Sequence, residues 1–326
     1  MARAIGLMSG GLDSVLATRL LQEQGIEILA VCFVTPFFGA QKARVAAKML
    51  NVPLEEIDFS DVHLDMVKAP ASGYGANMNP CIDCHALMLK FAGDLMVERG
   101  YDFLFTGEVL GERPMSQNRN SLIRVAKLSG YRDKILRPLS ALRLEETVME
   151  KDGLVDREQL ADISGRSRKP QMAMAERFGI DEYEAPAGGC LLTDPAYSNR
   201  LRELVKRLPE CVPLECRFIR MGRLFWVGEK AFAVVGRRHA ENERIEAAAR
   251  EGDWLLHVHG QVPGATVLLV GEVGPAEKEI AAKLALRYSS AKDGAAEIEL
   301  RRKDEVEKIE VTPPSDEELE EWRNPV

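Results

Sequence analysis

The segment SGGLDS at residues 9–14 constrains the fold of this chain more than any other feature. It follows a short apolar run at 3–8, which is typical of a buried parallel strand, and precedes residues 14–24, whose apolar side chains have helical spacing. Gly10 and Gly11 let the backbone approach an anion closely, and the next amides and the helix dipole would point at it. This strand, turn and helix predict a phosphate-binding loop.

Asp13 lies inside this loop, where an acidic side chain would repel a phosphate. A divalent cation between the two groups would remove the conflict, so we expect Mg²⁺ to bridge Asp13 and a leaving pyrophosphate. The loop also lacks the lysine of a Walker A sequence, which excludes the usual γ-phosphate loop.

Strand-like and helix-like segments alternate through the first half of the chain, which predicts a doubly wound α/β domain with a parallel sheet. A turn-rich stretch follows at about 185–200, and the remaining pattern of strands and helices predicts a smaller α+β domain. We therefore predict a nucleotide domain over 1–190, a second domain over 191–312 and an acidic tail over 313–326. Residues 69–80, rich in Gly, Ala, Pro and Asn, are expected to form a mobile loop.

Composition narrows the class of protein. The chain has 326 residues, 46% of them hydrophobic, which excludes a disordered chain. It contains no run of eighteen uncharged apolar residues and starts without a signal-like segment, so we expect a cytoplasmic protein without a membrane partner. The net charge is −8, yet residues 113–143 carry eight Lys and Arg against one Asp. This basic segment could contact phosphates, and eleven acidic residues after position 296 would form a solvated helix or tail.

Three of the six cysteines form a candidate sulfur site. Cys81 and Cys84 form a CxxC where the loop meets a helix, and Cys190 follows two glycines. In a reducing compartment three thiolates without a fourth ligand suit a [4Fe–4S] cluster with one open iron. Zinc with His85 as the fourth ligand, or a persulfide on Cys190 resolved by Cys81 or Cys84, are the alternatives. Cys32 lies among apolar residues and is expected in the core.

SGGLDS resembles the loop of the PP-loop ATP pyrophosphatase superfamily, whose members cleave ATP between its α and β phosphates and adenylate an oxygen of a second substrate. The resemblance implies the fold of the adenine nucleotide alpha hydrolases, with Phe33 packed near the adenine. It also implies an ATP site made by Met8, Ser9, Gly10, Gly11, Leu12, Asp13, Ser14, Phe33, Thr106, Gly107 and Glu108.

The loop, the CxxC, the distant cysteine, TGEVLGERPMSQN at 106–118 and ILRPLSALRLEE at 135–146 together resemble the tRNA thiolation branch, in particular the tRNA 4-thiouridine synthetases. This resemblance implies an ATP-dependent tRNA sulfurtransferase with Asp13, Cys81, Cys84 and Cys190 as catalytic residues. The expected product is 4-thiouridine, with 2-thiouridine as the alternative, and the expected partners are tRNA and sulfide or a sulfur-donor protein. We expect no counterpart of the THUMP and rhodanese domains of those synthetases, and therefore expect RNA binding and sulfur delivery by other means.

The second domain is similar to the RNA-binding domain of the NFACT proteins of ribosome-associated quality control. In that comparison a motif of polar and aromatic residues falls at Arg237, Arg238, Asn242, Trp254, His257 and His259. Arginine can contact phosphate and aromatic rings can stack on bases. We predict RNA contacts by Arg237, Arg238, Asn242, Trp254 and His257, and by Arg113 and Arg119 of the basic segment.

Three other functions stay open on the sequence alone: a PP-loop ligase with an amine nucleophile, an RNA-binding protein whose nucleotide site is not catalytic, and removal of sulfur from thiolated RNA. A homodimer also stays open.

Overall fold

The structure, a computed structural model, describes residues 1–181, 183, 189–260 and 262–323. The chain divides into two compact units, Met1–Asp194 and Pro195–Val326. The division falls four residues beyond the predicted end of the first domain, because the short turn at 191–193 still belongs to the first unit. The predicted turn-rich stretch at 184–188 lies outside the described residues.

The first unit is built on a five-stranded parallel sheet with the order β3-β2-β1-β4-β5. The strands are β1 (Arg3–Leu7), β2 (Glu27–Val34), β3 (Leu54–Asp58), β4 (Phe103–Phe105) and β5 (Ile135–Leu136). The helices are α1 (Leu12–Gln22), α2 (Gln41–Leu50), α3 (Ser60–Lys68), α4 (Cys81–Arg99), α5 (Arg119–Ser129), α6 (Val148–Lys151) and α7 (Lys169–Arg177). The predicted doubly wound α/β fold is confirmed.

Successive side chains along the strands point to opposite faces of this sheet and pack into two separate cores. Ala4 of β1 packs with α1, α2 and α7 on one face, whereas Ile5 packs with α4 and α5 on the other. Cys32 lies in the first of these cores and is 5% exposed, as its apolar neighbours predicted. Burial raises the pKa of the Cys32 thiol to about 11, so this cysteine stays a neutral packing group.

Residues 69–80 are more ordered than their composition predicted. The backbone N–H of Ser72 donates to Asp83 Oδ2 (2.7 Å) and the Tyr74 hydroxyl donates to the carbonyl of Val67 (2.6 Å). The side chain of Asn77 also bonds the carbonyl of Thr193. Hydrogen bonds thus fix a segment that is too rich in Gly and Pro to form a helix or strand.

The second unit contains a six-stranded antiparallel sheet with the order β11-β10-β8-β9-β7-β6. Its strands are β6 (Arg223–Trp226), β7 (Ala231–Val235), β8 (Trp254–Val258), β9 (Val267–Gly271), β10 (Ala296–Arg302) and β11 (Glu305–Val311). Its helices are α8 (Pro195–Arg207), α9 (Pro213–Phe218), α10 (His239–Ala248), α11 (Pro275–Arg287) and α12 (Asp316–Trp322). The core of this unit lies between the sheet and α11.

The acidic end of the chain is not a solvated tail, and that prediction needs correction. Ile298 and Leu300 alternate with charged residues along β10 and are fully buried, and β10 and β11 form a hairpin. Leu319 and Trp322 of α12 are 4% and 9% exposed and pack into the same core. Charge counting missed this because the apolar side chains lie between acidic ones, at strand and helix spacing. None of the helices in the described residues is long and apolar enough to cross a membrane.

Candidate nucleotide and thiol site

The candidate site lies where the strand order of the first unit reverses, between β1 and β4. In open α/β sheets this position forms a crevice at the carboxyl ends of the strands. Residues 9–14 follow β1 and residues 106–108 follow β4. A Cβ built on Gly107 would lie 2.5 Å from the backbone nitrogen of Ser14, so the two segments are in direct contact and only glycine fits there. The structure therefore brings together the two segments predicted to bind the nucleotide.

The phosphate loop is shaped by its glycines and serines. Gly10 has a φ of +78°, and a Cβ on it would lie 2.3 Å from the backbone of Lys42. Gly11 is the N-cap of α1 without a side-chain cap, Ser9 Oγ accepts the Gly11 N–H at 3.2 Å, and Ser14 Oγ donates to the Gly11 carbonyl at 2.8 Å. The first amides of α1 thus face the crevice with no capping side chain, which suits an anion.

The predicted apolar ATP contacts lie deeper than expected. Met8 and Leu12 are 2% and 1% exposed, so only their backbone can reach a ligand. Phe33 is 4% exposed and its ring lies 4.7 Å from that of Phe59 and 6.4 Å from that of Phe91, within the core on the α4 and α5 face. The structure thus gives the Phe33 ring a packing position in this core, and its contact with an adenine stays a prediction.

Asp13 faces a second carboxylate, that of Glu112. Burial raises the pKa of Asp13, and Arg168 and, more weakly, Arg113 oppose the rise. Burial also raises the pKa of Glu112, and the charge of Asp13 raises it further. Asp13 Oδ1 is buried without a hydrogen-bond partner among the described residues. An orphaned oxygen beside a second carboxylate is the donor set that Mg²⁺ prefers, so the residues present fit the expected cation.

Glu112, Arg168 and Gln171 belong to this site, although the sequence analysis did not select them. Gln171 of α7 is fully buried and lowers the pKa of Asp13, yet both its amide atoms lack a hydrogen-bond partner among the described residues. The dipole of the Gln171 amide can act on the nearby Asp13 carboxylate without an aligned hydrogen bond. Arg168 and Gln171 stand more than 150 residues from Asp13 and carry no local motif, so only the fold could reveal them.

Glu108, predicted to bind ATP, is instead the centre of a buried ion network. Its Oε1 lies 3.0 Å from His85 Nδ1, and its Oε2 accepts hydrogen bonds from Arg137 Nε (2.9 Å) and from the Thr106 hydroxyl (3.0 Å). Burial alone would raise the pKa of Glu108, but Arg137 and His85 outweigh it and lower the pKa to about 2. The charge of Glu108 thus holds the ring of His85, which follows Cys84 in the chain.

The three candidate thiols lie within electrostatic reach of one another. Burial raises the pKa of Cys84 well above its ordinary value, and the charges of Cys190 and Cys81 would raise it further. Burial likewise raises the pKa of Cys190 to about 11, with Cys81 adding to the rise. Cys84 Sγ also lies 3.2 Å from Nε2 of His63, a buried ring whose pKa burial lowers to about 4. Cysteines 106 or more residues apart in sequence thus share one site.

Short hydrogen bonds hold Cys190 near the CxxC. Asn77 Nδ2 donates to the Thr193 carbonyl (2.9 Å), the Thr193 hydroxyl donates to the Cys190 carbonyl (2.7 Å), and Leu191 N–H donates to the Phe37 carbonyl (3.0 Å). The ordered segment 69–80 therefore positions the third cysteine.

The three cysteines are not arranged as a metal site. No group of three His, Cys, Asp or Glu side chains among the described residues could hold a metal ion. In the described residues these side chains do not form a site for the [4Fe–4S] cluster or the zinc ion expected from the sequence, and both stay predictions beside the persulfide alternative.

Arg113 connects the thiols to the phosphate loop. Its charge lowers the pKa of Asp13 and also that of Cys190. It therefore lies within electrostatic reach of both the phosphate loop and the third cysteine. An RNA contact of Arg113, or stabilisation of charge on the α-phosphate, stays a prediction. The basic segment around it is also divided, because Arg137 is buried with Glu108 and Arg143 pairs with Asp162. Arg119 stays exposed and donates to the Arg143 carbonyl.

Comparison with known proteins agrees with this geometry. Residues 1–151 match the family model described as thiamine biosynthesis protein (ThiI), and residues 222–323 match the NFACT protein RNA binding domain. A probable tRNA sulfurtransferase of Lactobacillus gasseri is 26% identical over 155 residues, which are 45% of this chain and 36% of the relative. The first unit is therefore similar to the PP-loop tRNA thiolation family.

A second relative of this PP-loop unit, the tRNA-specific 2-thiouridylase MnmA of Pelobacter propionicus, is 29% identical over 210 residues, or 60% of this chain and 56% of the relative. The chain thus spans about a third to just over half the length of these curated relatives. Among solved structures, a 4-thiouridine synthetase in complex with RNA and ATP aligns with a TM-score of 0.36 and 20% identity, covering 55% of this chain and 52% of the other.

The predicted RNA contacts of the second unit fall in three different environments. Arg237, Arg238 and Asn242 lie around the start of α10 and line one pocket. His257 lies on the sheet, with Nε2 3.7 Å from a carboxylate oxygen of Glu246. Burial lowers the pKa of His257, so this imidazole is a weak phosphate ligand at neutral pH.

Trp254 has a structural environment. It is 1% exposed, and Lys278 Nζ and the Arg302 guanidinium lie 4.0 and 4.4 Å from its ring centroid. A ring so covered cannot stack on a base, which corrects the prediction made for it. His259 follows β8, and its Nδ1 lies 3.1 Å from a carboxylate oxygen of Glu299.

Proposed function

We propose that the protein is an ATP-dependent tRNA sulfurtransferase, which adenylates a uridine carbonyl oxygen and replaces that oxygen with sulfur. The observation that carries the proposal is the position of Arg113, whose charge acts on both Asp13 and Cys190. One site thereby offers a phosphate loop for ATP and thiols for sulfur transfer. The tRNA-modifying names of the relatives of the first unit support the same substrate class.

Adenylation uses the phosphate loop and the acid pair. The first amides of α1 would bind the pyrophosphate, and Asp13 with Glu112 would hold Mg²⁺, which neutralises charge on the phosphates. A uridine oxygen attacks the α-phosphorus, pyrophosphate leaves, and Arg113 and Arg168 stabilise the negative charge that develops. The uridine carbon now carries AMP as its leaving group.

We propose a persulfide on Cys190 as the sulfur source. The terminal persulfide sulfur attacks the adenylated carbon and AMP leaves, which joins the uridine to Cys190 through a disulfide. A second thiol, Cys81 or Cys84, then attacks Cys190 Sγ, forms a protein disulfide and releases the thiouridine. A persulfide donor reloads Cys190 after a dithiol reductant has reduced the protein disulfide, so electrons balance over the cycle.

We further propose 4-thiouridine as the product, because residues 106–118 resemble the corresponding segment of the 4-thiouridine synthetases. Arg237 and Arg238 of the second unit, and Arg119 of the first, are proposed RNA contacts. A homodimer stays a prediction.

Turnover of the full chain with ATP, a tRNA and a persulfide donor tests the proposal. We expect AMP, pyrophosphate and thiolated nucleoside from the unaltered protein, and a loss of all three by a factor of about 100 in Asp13→Asn. Cys190→Ser should still form AMP and pyrophosphate but no thiouridine, and the core variant Cys32→Ala should behave like the unaltered protein. Full tRNA-dependent turnover by Cys190→Ser would support the amine-using ligase instead, and absence of AMP formation would support a binding protein.

Two measurements decide the finer points. Mass spectrometry of digested tRNA against both standards separates 4-thiouridine from 2-thiouridine. Visible absorption of anaerobically purified protein separates the sulfur routes: a colourless active enzyme supports the persulfide, whereas a broad brown band lost in Cys190→Ser would overturn it in favour of a cluster.

A further inference from the structure

The second unit contains a pocket of about 460 Å³ next to the start of α10. Its lining includes Arg223, Arg237, Arg238, His239 and Tyr288, and none of the described residues that line it is acidic. The unit as a whole carries 21 Lys and Arg against 24 Asp and Glu, so this concentration of arginine does not reflect its average charge. The volume lies within the range of about 300–1,000 Å³ that is usual for pockets binding small organic groups.

The arginines of this pocket differ in how firmly they are held. The Arg223 guanidinium lies 4.5 Å from the Tyr288 ring centroid, and its Nη1 donates to the Gly236 carbonyl at 3.5 Å. Arg237 donates to the Gly222 carbonyl (2.9 Å) and lies 3.9 Å from a Glu241 carboxylate oxygen. The side chain of Arg238 is exposed and makes no hydrogen bond or ion pair with any described residue. Arg223 and Arg238 are therefore the pocket arginines whose charge is not paired with a carboxylate of any described residue.

Asn242 builds the pocket wall. Its Oδ1 accepts the Thr266 N–H (3.2 Å) and its Nδ2 donates to the Gly264 carbonyl (3.3 Å). A Cβ on Gly236 would lie 2.0 Å from Asn242 Oδ1, so glycine is needed to let this amide reach across. Both amide atoms are thus committed to the protein, which makes Asn242 a residue that shapes the pocket.

We propose that this pocket receives one unpaired nucleotide of single-stranded RNA. This inference rests on the proposed function, which makes RNA the substrate. The phosphate contacts Arg238 and the uncapped N-terminus of α10, whose N-cap makes no side-chain hydrogen bond. The base stacks on the Arg223 guanidinium, whose position Tyr288 fixes before binding. A paired nucleotide cannot enter, because its base is held in the duplex stack.

Fluorescence anisotropy of a labelled heptanucleotide with the full chain tests the pocket, with the same strand annealed to its complement as the comparison. We expect single-stranded RNA to bind at least about tenfold more tightly than the duplex, and Arg238→Gln and Arg223→Gln each to weaken binding about tenfold. Arg244→Gln is the matched control, because Arg244 is exposed on the same helix and does not line the pocket.

Three results would overturn the pocket assignment: equal binding of the duplex, equal weakening by Arg238→Gln and Arg244→Gln, or displacement by uridine monophosphate at the concentration at which the oligonucleotide itself competes. Thermal unfolding of each variant shows whether the fold is retained. Binding is measured in Asp13→Asn as well, so loss of catalysis and loss of the pocket are read separately. Thiouridine formation without single-stranded RNA binding would reject only the pocket.

Discussion

At the residue scale, Glu108 shows how a buried charge can be stabilised by its partners. Replacing it by Gln would leave Arg137, whose side chain is 9% exposed, without its carboxylate. Breaking a buried pair of this kind costs about 3–5 kcal/mol, so Glu108→Gln should lower the free energy of unfolding by that amount at pH 7. The measurement is denaturant unfolding of both proteins.

The pH dependence of the same residue provides a second test. The pKa of Glu108 is lowered in the folded state from 4.5 to about 2, so its contribution to stability is complete above pH 4.5 and is lost as the pH falls toward 2. We expect the stability difference between the unaltered protein and Glu108→Gln to shrink over this interval. A difference that stays constant from pH 6 to pH 2.5 would contradict the assigned charge state.

At the scale of elements, segment 69–80 is joined by a hydrogen bond to the turn that follows Cys190. Asn77→Ala removes the hydrogen bond to the Thr193 carbonyl, worth about 1 kcal/mol net. The amides of residues 191–193 should then exchange with deuterium about fivefold faster, with little change in Tm. Asn120→Ala, an exposed position in α5, is the control, and an unchanged exchange rate in Asn77→Ala would show that the support lies elsewhere.

At the scale of the whole molecule, the acidic end of the chain belongs to the core of the second unit. Trp322→Ala removes a side chain that is 9% exposed, which should cost about 3–5 kcal/mol and lower the Tm of the transition of that unit. Glu321→Ala, on the exposed side of the same helix, should change stability by less than about 0.5 kcal/mol. Calorimetry compares the two variants, and equal Tm values for Trp322→Ala and Glu321→Ala would support the solvated tail instead.

Local pattern was sufficient for those features that depend on neighbouring residues. The alternation of strands and helices predicted the parallel sheet. SGGLDS predicted the turn between β1 and α1, because Gly10 adopts a φ of +78° that favours glycine. Pattern failed for β10, β11 and α12, where charge was counted without regard to the apolar residues at every second or third position.

The sequence by itself determined the class of fold, the phosphate loop and the identity of the three candidate thiols. Only the tertiary structure decided that the charge of Arg113 acts on both Asp13 and Cys190, and that Glu112 faces Asp13. It also decided that Glu108 is buried with Arg137 and that Trp254 packs in the core. The reason is physical: helical and strand periods are set by nearest neighbours along the chain, whereas burial and Coulomb interaction depend on distances that the crossing of distant segments creates.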